Sequence, residues 1–362
     1  MKHAPDIRSA PDIRAGLDRR LFLKTLTATA AGLGLAACAS PAQSGPGLSA
    51  NAPLPTSVPS GTSLSIASYE GAQQLQLQLA GLLKGLPFSV SSWPSLGAGP
   101  DVIAAFRAKS LDVGENAGIP PIEAHNQGFD TKIVAINLTR SPTYVFATAP
   151  HSTIENVSQF RGKKLAFSVG QAQGVVLLRA LNQAKIPYSD VTFVNLTSDQ
   201  FLVALEAGQV DIAPLAISQV PAYLNSYGQD GAHTITTTVV DYLSLLWAPT
   251  TVLSDSAKAA AIAAFVPIWA KGTVWEYENQ ATWEQEFYVK NQGISLAQAQ
   301  NVMKLTPKPW FPPSWDSAIA WEKETVTLLT EGGFVKTFDA DVLFDRRFEG
   351  LAAAAVPATY RS

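Results

Sequence analysis

The sequence predicts an α/β protein of two lobes, each a mostly parallel sheet flanked by helices, followed by a helical C-terminal part. Three observations lead there. Short β-prone runs alternate with amphipathic helical stretches between residues 62 and 138. The same alternation restarts at residue 164 and continues to 227. Beyond Ser254 the apolar spacing is helical almost to the end. Strand–helix alternation marks parallel sheets covered by helices.

Leu64 and Ile66 alternate with Ser63, Ser65 and Ser68, which marks a short strand. Residues 70–83 read as a helix with Leu75, Leu79, Leu82 and Leu83 on one face. Residues 88–90 are a second strand, 101–109 a helix with Val102, Ala105 and Phe106 inward, and 111–113 a third strand. Prolines 120 and 121 open a short helix over 120–127, and 132–138 are a fourth strand. The second series runs strand 164–169, helix 174–185, strand 191–194, helix 199–207, strand 210–213 and helix 218–227. Two apolar runs, 144–149 and 242–247, are expected to carry the chain across between lobes. Pro312 and Pro313 cannot sit inside a helix, so they part the last two helical stretches. The lobes are expected at 62–141 with 242–362, and at 142–241.

The first forty residues carry a separate message. Asp18-Arg19-Arg20-Leu21-Phe22-Leu23-Lys24 has the form of a twin-arginine export signal. An apolar run over 26–37 follows and ends in Leu35-Ala36-Ala37-Cys38, the pattern of a bacterial lipoprotein cleavage site. That run is too short to span a bilayer comfortably. A basic amphipathic N-terminus is the plain alternative, but two patterns in the right order favour targeting. Residues 1–37 are therefore expected to be a signal peptide and Cys38 the lipidated residue. Residues 38–61, rich in Pro, Ser, Ala and Gly, would be a flexible tether. The protein would then sit in the periplasm, held to the membrane by its lipid anchor alone.

Composition narrows the chemistry. Cys38 is the only cysteine, so a domain that follows it has no thiol nucleophile, thiolate metal site or disulfide. Beyond Ala37 the chain has 20 basic against 26 acidic residues, the wrong balance for nucleic acid. The histidines at 3, 125, 151 and 233 are scattered, with no metal-ligand spacing. No metal or cofactor is expected.

Several motifs resemble, in order, those of the sulfonate, nitrate and taurine periplasmic binding proteins of ABC transporters, a family that also has thiamine-precursor binders. Val113-Gly114-Glu115-Asn116-Ala117-Gly118-Ile119-Pro120-Pro121 resembles their G-x-x-G-x-x-P turn. Phe160-Arg161-Gly162-Lys163-Lys164-Leu165-Ala166 resembles the lead into a strand, and 170–178 the strand-to-helix ligand loop. Leu205-Glu206-Ala207-Gly208-Gln209-Val210-Asp211 and Asp341-Val342-Leu343-Phe344-Asp345-Arg346-Arg347-Phe348 resemble two later turns. The resemblance implies a type II periplasmic binding protein fold. It implies a monomer that captures a small organic anion, a sulfonate or carboxylate with or without an aromatic ring, and delivers it to an ABC permease. A thiamine-type pyrimidine is the alternative ligand. An enzyme of the desulfinase kind on the same fold would need a cysteine nucleophile, which the chain beyond Cys38 lacks. A scaffolding lipoprotein that binds a partner domain is a third reading.

In such sheets the ligand lies beyond the carboxyl ends of the strands, where helix N-termini present free N–H groups. Four loops qualify: Ser68-Tyr69-Glu70, Asn116-Ala117-Gly118, Thr139-Arg140, and Gln171-Ala172-Gln173-Gly174. The glutamines offer donors and acceptors, though a solvated helix cap would look the same. Arg140 could hold an anion with two parallel hydrogen bonds, or pair with Glu70. Leu215-Ala216-Ile217 stands where relatives carry a W-x-P segment, so an aromatic wall has become aliphatic and Ile217 is expected to line a wider or more apolar pocket. Trp93, Tyr242 and Trp247 are candidates to stack on a ligand ring, against the commoner role of core packing.

Overall fold

The computed structural model of the protein describes residues 47–361. The expected signal at 1–37, Cys38 and the first part of the expected 38–61 tether lie outside the described residues.

β1 (Ser63–Ser65) buries Leu64 and runs on to Ile66, which bridges Val113 in parallel. The chain continues through α1 (Ala72–Leu79) to β2 (Ser89–Ser92), which pairs in parallel with β1. Next come α2 (Gly99–Arg107), β3 (Gly114–Ala117), α3 (Ile119–Asn126) and β4 (Thr131–Leu138). The third strand starts at Gly114, later than the expected 111–113. The Asp112 carboxylate there accepts the Ser65 N–H at 2.9 Å and pairs with Lys258 at 2.5 Å, so this stretch braces the pairing that Val113 makes with Ile66.

After a crossing at 139–143 the second sheet is built from one continuous stretch. It holds β5 (Tyr144–Thr148), β6 (Lys164–Phe167), α4 (Ala172–Gln183), β7 (Thr192–Asn195), α5 (Phe201–Glu206), β8 (Ile212–Ala216), α6 (Val220–Tyr227) and β9 (Thr234–Ile235). Its strand order is β7-β6-β8-β5-β9, with β5 antiparallel to both neighbours. The chain returns at 236–242 into β10 (Leu243–Pro249), which lies between β3 and β4, antiparallel to both. With the Ile66–Val113 bridge the first sheet reads β2-β1-β3-β10-β4. Both sheets therefore share one plan: parallel strands with a single reversed strand next to one edge.

The runs 144–149 and 242–247 are thus not the crossings themselves, as expected, but the reversed strands β5 and β10. They are apolar because interior strands are covered on both faces; Leu243, Leu245, Leu246, Trp247 and Ala248 are all buried.

The rest is helical: α7 (Thr250–Leu253), α8 (Ser256–Glu278), α9 (Gln280–Trp283), a π-helical stretch at Glu284–Asn291, α10 (Leu296–Leu305), α11 (Asp316–Glu331) and α12 (Leu351–Ala355). Asp255 caps α8 by accepting the N–H groups of Ala257 and Lys258. The Ala-rich face of α8 lets it lie close to α1, where a side chain on Gly272 would meet Leu77. Irregular backbone separates α10 from α11 around Pro312 and Pro313, and Trp310 pairs there with the edge of β4.

The end of the expected tether is docked. Leu48 donates to the Ser254 carbonyl at 2.7 Å, and Arg347 donates to the carbonyls of Ser49 and Ala52. Leu54 and Val58 pack against the core. The Pro- and Ser-rich composition hid these few apolar anchors.

Candidate ligand-binding cleft

The carboxyl ends of the parallel strands, and the start of the reversed β5, put loops of both sheets on one cleft. The loops touch along one side. A Cβ on Gly99 would come within 3.0 Å of the Gly170 carbonyl oxygen, and one on Gly170 within 3.2 Å of Glu123 Cγ. Gly170 has φ +80, the left-handed region that glycine adopts without strain.

Most of the expected loop residues shape this cleft through their own internal bonds. Ser68 is buried, and its Oγ accepts the Gln74 N–H at 3.0 Å, capping α1. Tyr69 is 57% exposed and lies over Gly97. Glu70 takes a left-handed φ of 50; its N–H donates to Ser95 and its carbonyl accepts from Asn291. Asn116 accepts from the Trp247 indole at 2.9 Å and donates to the Gly97 carbonyl. Ala117 ends β3 beside Ser244. A side chain on Gly118 would run into the Glu322 carboxylate.

Gln171 is a correction. Its side chain is buried and is spent on Ser168 and on Ser198, which it grips through both its amide and carbonyl ends. It knits two loops of the second sheet at the start of α4. Gly174 is required for packing, because any side chain there would strike the Ser168 carbonyl. Arg140 does not pair with Glu70; it stacks over the Trp310 ring at 4.4 Å. Trp247 is fully buried, edge-on to Phe106, and belongs to the core. Tyr242 rests against Trp321 at 5.1 Å, and Trp93 is half-buried against the core. Thr139 donates through its backbone to Tyr242.

Ile217 does line an open cavity in the cleft, of about 190 Å³. One wall is Thr143, Tyr144, Ile217 and Ser218, at the strand ends of the second sheet. The facing wall is Tyr288 of the π-helical stretch with Leu305 of α10. Sequence reasoning missed Tyr144, Tyr288 and Leu305, which come from distant segments.

It also missed a set of carboxylates near the same loops. Glu115 accepts from Gln73 at 2.5 Å and from the Trp269 indole at 2.7 Å. Desolvation pushes it up to about 7 against the pull of the indole bond. Glu276 accepts from Gln76 at 2.5 Å, and desolvation together with the charge of Glu115 lifts it to about 7. Glu322, on α11, is 1% exposed with one oxygen lacking any partner among the described residues. Burial and the charge of Asp241 push it up to about 8, partly offset by Arg179. Asp241 rises to about 7 by desolvation. Glu322 had a sequence signal: it falls in the inward stripe of α11 with Ile319, Val326 and Leu329.

Among the described residues no cluster of His, Cys, Asp or Glu is arranged to hold a metal ion, and no helix is long and apolar enough to cross a membrane.

Known proteins share this frame. A family profile described as NMT1/THI5 like matches residues 97–282. An aliphatic sulfonates-binding protein of Escherichia coli (strain K12) is 35% identical over 130 residues, 36% of this chain and 41% of that protein. The matched stretch thus spans about two fifths of that relative. Among solved structures, the alkanesulfonate-binding protein from Xanthomonas axonopodis pv. citri bound to MOPS superposes with a TM-score of 0.66 at 19% identity, covering 86% of this chain and all (100%) of that one. The periplasmic aliphatic sulphonate binding protein from Escherichia coli gives 0.64 at 23%, covering 79% and 92%. A desulfurization enzyme gives 0.55 at 13%, covering 81% and 99%. Binders and an enzyme share the fold, so fold alone does not choose between them.

Proposed function

The chain belongs to the NMT1/THI5-like family, and from that premise we propose that it is a two-lobed solute-binding protein. In this reading it captures a small organic molecule between its lobes, leaves it chemically unchanged, and passes it to a membrane permease. One observation carries the reading. Two sheets of the same strand plan are joined by two adjacent crossings, and their strand-end loops close on one cleft. That is the geometry of hinged capture, in which affinity comes from the difference between open and closed contacts. Export to the periplasm, a lipid anchor at Cys38 and a monomeric state complete the proposal; they rest on the N-terminal motifs and the family resemblance.

The proposed ligand head group is a sulfonate or carboxylate, seated at the start of α4, where the first N–H groups of a helix suit an anion. The name of the Escherichia coli relative supports a sulfonate. A second reading is favoured by Glu115, Glu276 and Glu322. Carboxylates close to the cleft suit a ligand that donates hydrogen bonds, as a pyrimidine carrying an amino group does.

A thermal-shift and calorimetric panel of sulfonates, carboxylates and pyrimidines tests both. Saturable binding of one ligand per chain, with a smaller radius in X-ray scattering, is the expected result. Binding without compaction, or turnover of any ligand, contradicts the proposal.

A further inference from the structure

Resting on the solute-binding reading above, we infer that the cavity between Tyr144 and Tyr288 is a subsite for a compact apolar group of the solute, of the size of one six-membered ring. The ligand class is then an organic molecule with a polar head and a single aromatic or branched apolar tail.

Volume sets the first limit. The cavity holds about 190 Å³, and an apolar cavity of about 150 Å³ suffices for benzene. A single ring fills it.

The lining sets the second. No charged residue lines the cavity. Ile217, Val302, Leu305 and Pro307 supply apolar surface, and Tyr144 and Tyr288 supply two aromatic rings. Leu305 is 54% exposed, a large apolar side chain left uncovered where the cavity opens. Tyr288 is pushed up to about 12 by burial and by the charges of Glu276 and Glu70, so its hydroxyl keeps its proton across physiological pH. The lining therefore combines apolar and aromatic surface with uncharged hydroxyls of Thr143, Ser218 and Thr306, a poor place for a sulfonate or ammonium and a good one for a ring.

Placement sets the third. Ile217 follows β8 and Tyr144 starts the reversed β5, so both stand at the cleft edge of the second sheet. Tyr288 and Leu305 belong to the C-terminal helices, which pack with α1 of the first sheet through Trp283, Phe287 and Met303. Each wall comes from a different side of the hinge. An apolar group seated here touches both, and so favours the closed form over the open one.

Matched ligand pairs test the inference: benzenesulfonate with methanesulfonate, benzoate with acetate, and benzylamine with methylamine, by calorimetry on the purified protein. In whichever head-group class binds, the ring-bearing member is expected to bind at least tenfold tighter. Ile217→Trp fills the cavity from one wall, and Leu305→Trp from the other at an exposed position that folding tolerates. Each is expected to weaken the ring-bearing member at least tenfold more than the small one, and so to erase the ring preference. Equal affinity within a pair overturns the subsite, as does a variant that weakens both members alike. No binding by any pair overturns the solute-binding reading itself, and the subsite with it.

Discussion

The backbone N–H of Thr139 donates to the carbonyl of Tyr242 over 2.8 Å, so the two crossings between the sheets are bonded to each other. In the proposed hinged capture, crossings bonded in this way would bend as one unit. Thr139→Pro removes the donor and fixes φ. It is expected to lower stability by roughly 1–3 kcal/mol and to widen the spread of lobe angles seen by scattering. Unchanged stability in a denaturant titration would count against the pairing.

Arg179 forms a second link, between the second sheet's α4 and the C-terminal helix α11. Its guanidinium stacks over Trp321 at 3.5 Å and donates to Thr325 Oγ1 at 2.9 Å, joining α4 to α11. Its ion pair with Glu324, at 3.4 Å, adds little because Glu324 is largely exposed. Arg179→Met keeps much of the aliphatic stem and loses the stacking and the hydrogen bond. We expect a larger radius of gyration without ligand and affinity weaker by about 1–2 kcal/mol. An unaltered scattering curve would exclude the latch.

Gly118 and Glu322 are expected to behave as a coupled pair. Gly118→Ala drives a methyl group into the carboxylate and should cost about 1–3 kcal/mol. Glu322→Ala opens space for that methyl. The double variant should therefore be more stable than the sum of the single losses requires, by at least about 0.5 kcal/mol. Strict additivity in melting experiments would place the two residues out of contact.

Stability should fall as pH rises. Glu115, Glu276 and Asp241 hold their protons up to about 7 in the folded chain, and Glu322 up to about 8. The unfolded chain releases them near ordinary carboxylate values, roughly pH 4. Between those limits the folded state binds more protons, so each unit of pH weakens it. The melting temperature is expected to decline from pH 5 to pH 8 and then level off. Glu322→Gln and Glu115→Gln should each flatten the decline and melt higher than the parent at pH 8. A melting temperature that climbs over this range would refute the assignment.

The alternation of strand and helix was legible because each short strand shows its buried residues in sequence, as Leu64 and Ile66 do beside their serines. β9 was not, since Thr234 and Ile235 are too short a run to carry a pattern. β10 was visible as an apolar run but not as a strand inserted between two others, because its partners β3 and β4 lie more than a hundred residues earlier. At the site, the glycines mark places where the protein's own chain comes close, Gly118 to Glu322 and Gly174 to Ser168. The direction of the side chains was hidden: Gln171 turns to Ser198, and Arg140 turns to Trp310. Tyr288 and Leu305 reach the cavity only because the C-terminal helices fold back over the first sheet.

The insertion of β10 also fixes an order of assembly. All five strands of the second sheet lie in one uninterrupted stretch, from Tyr144 to Ile235. That sheet can form as soon as its own chain has emerged from synthesis. The first sheet cannot: β3 and β4 remain without their shared neighbour until Leu243–Pro249 arrives. The N-terminal half must wait, with strand edges open, for a segment made after its counterpart is complete. Slow folding and early aggregation should therefore begin at the exposed edges of β3 and β4 rather than in the sheet encoded later.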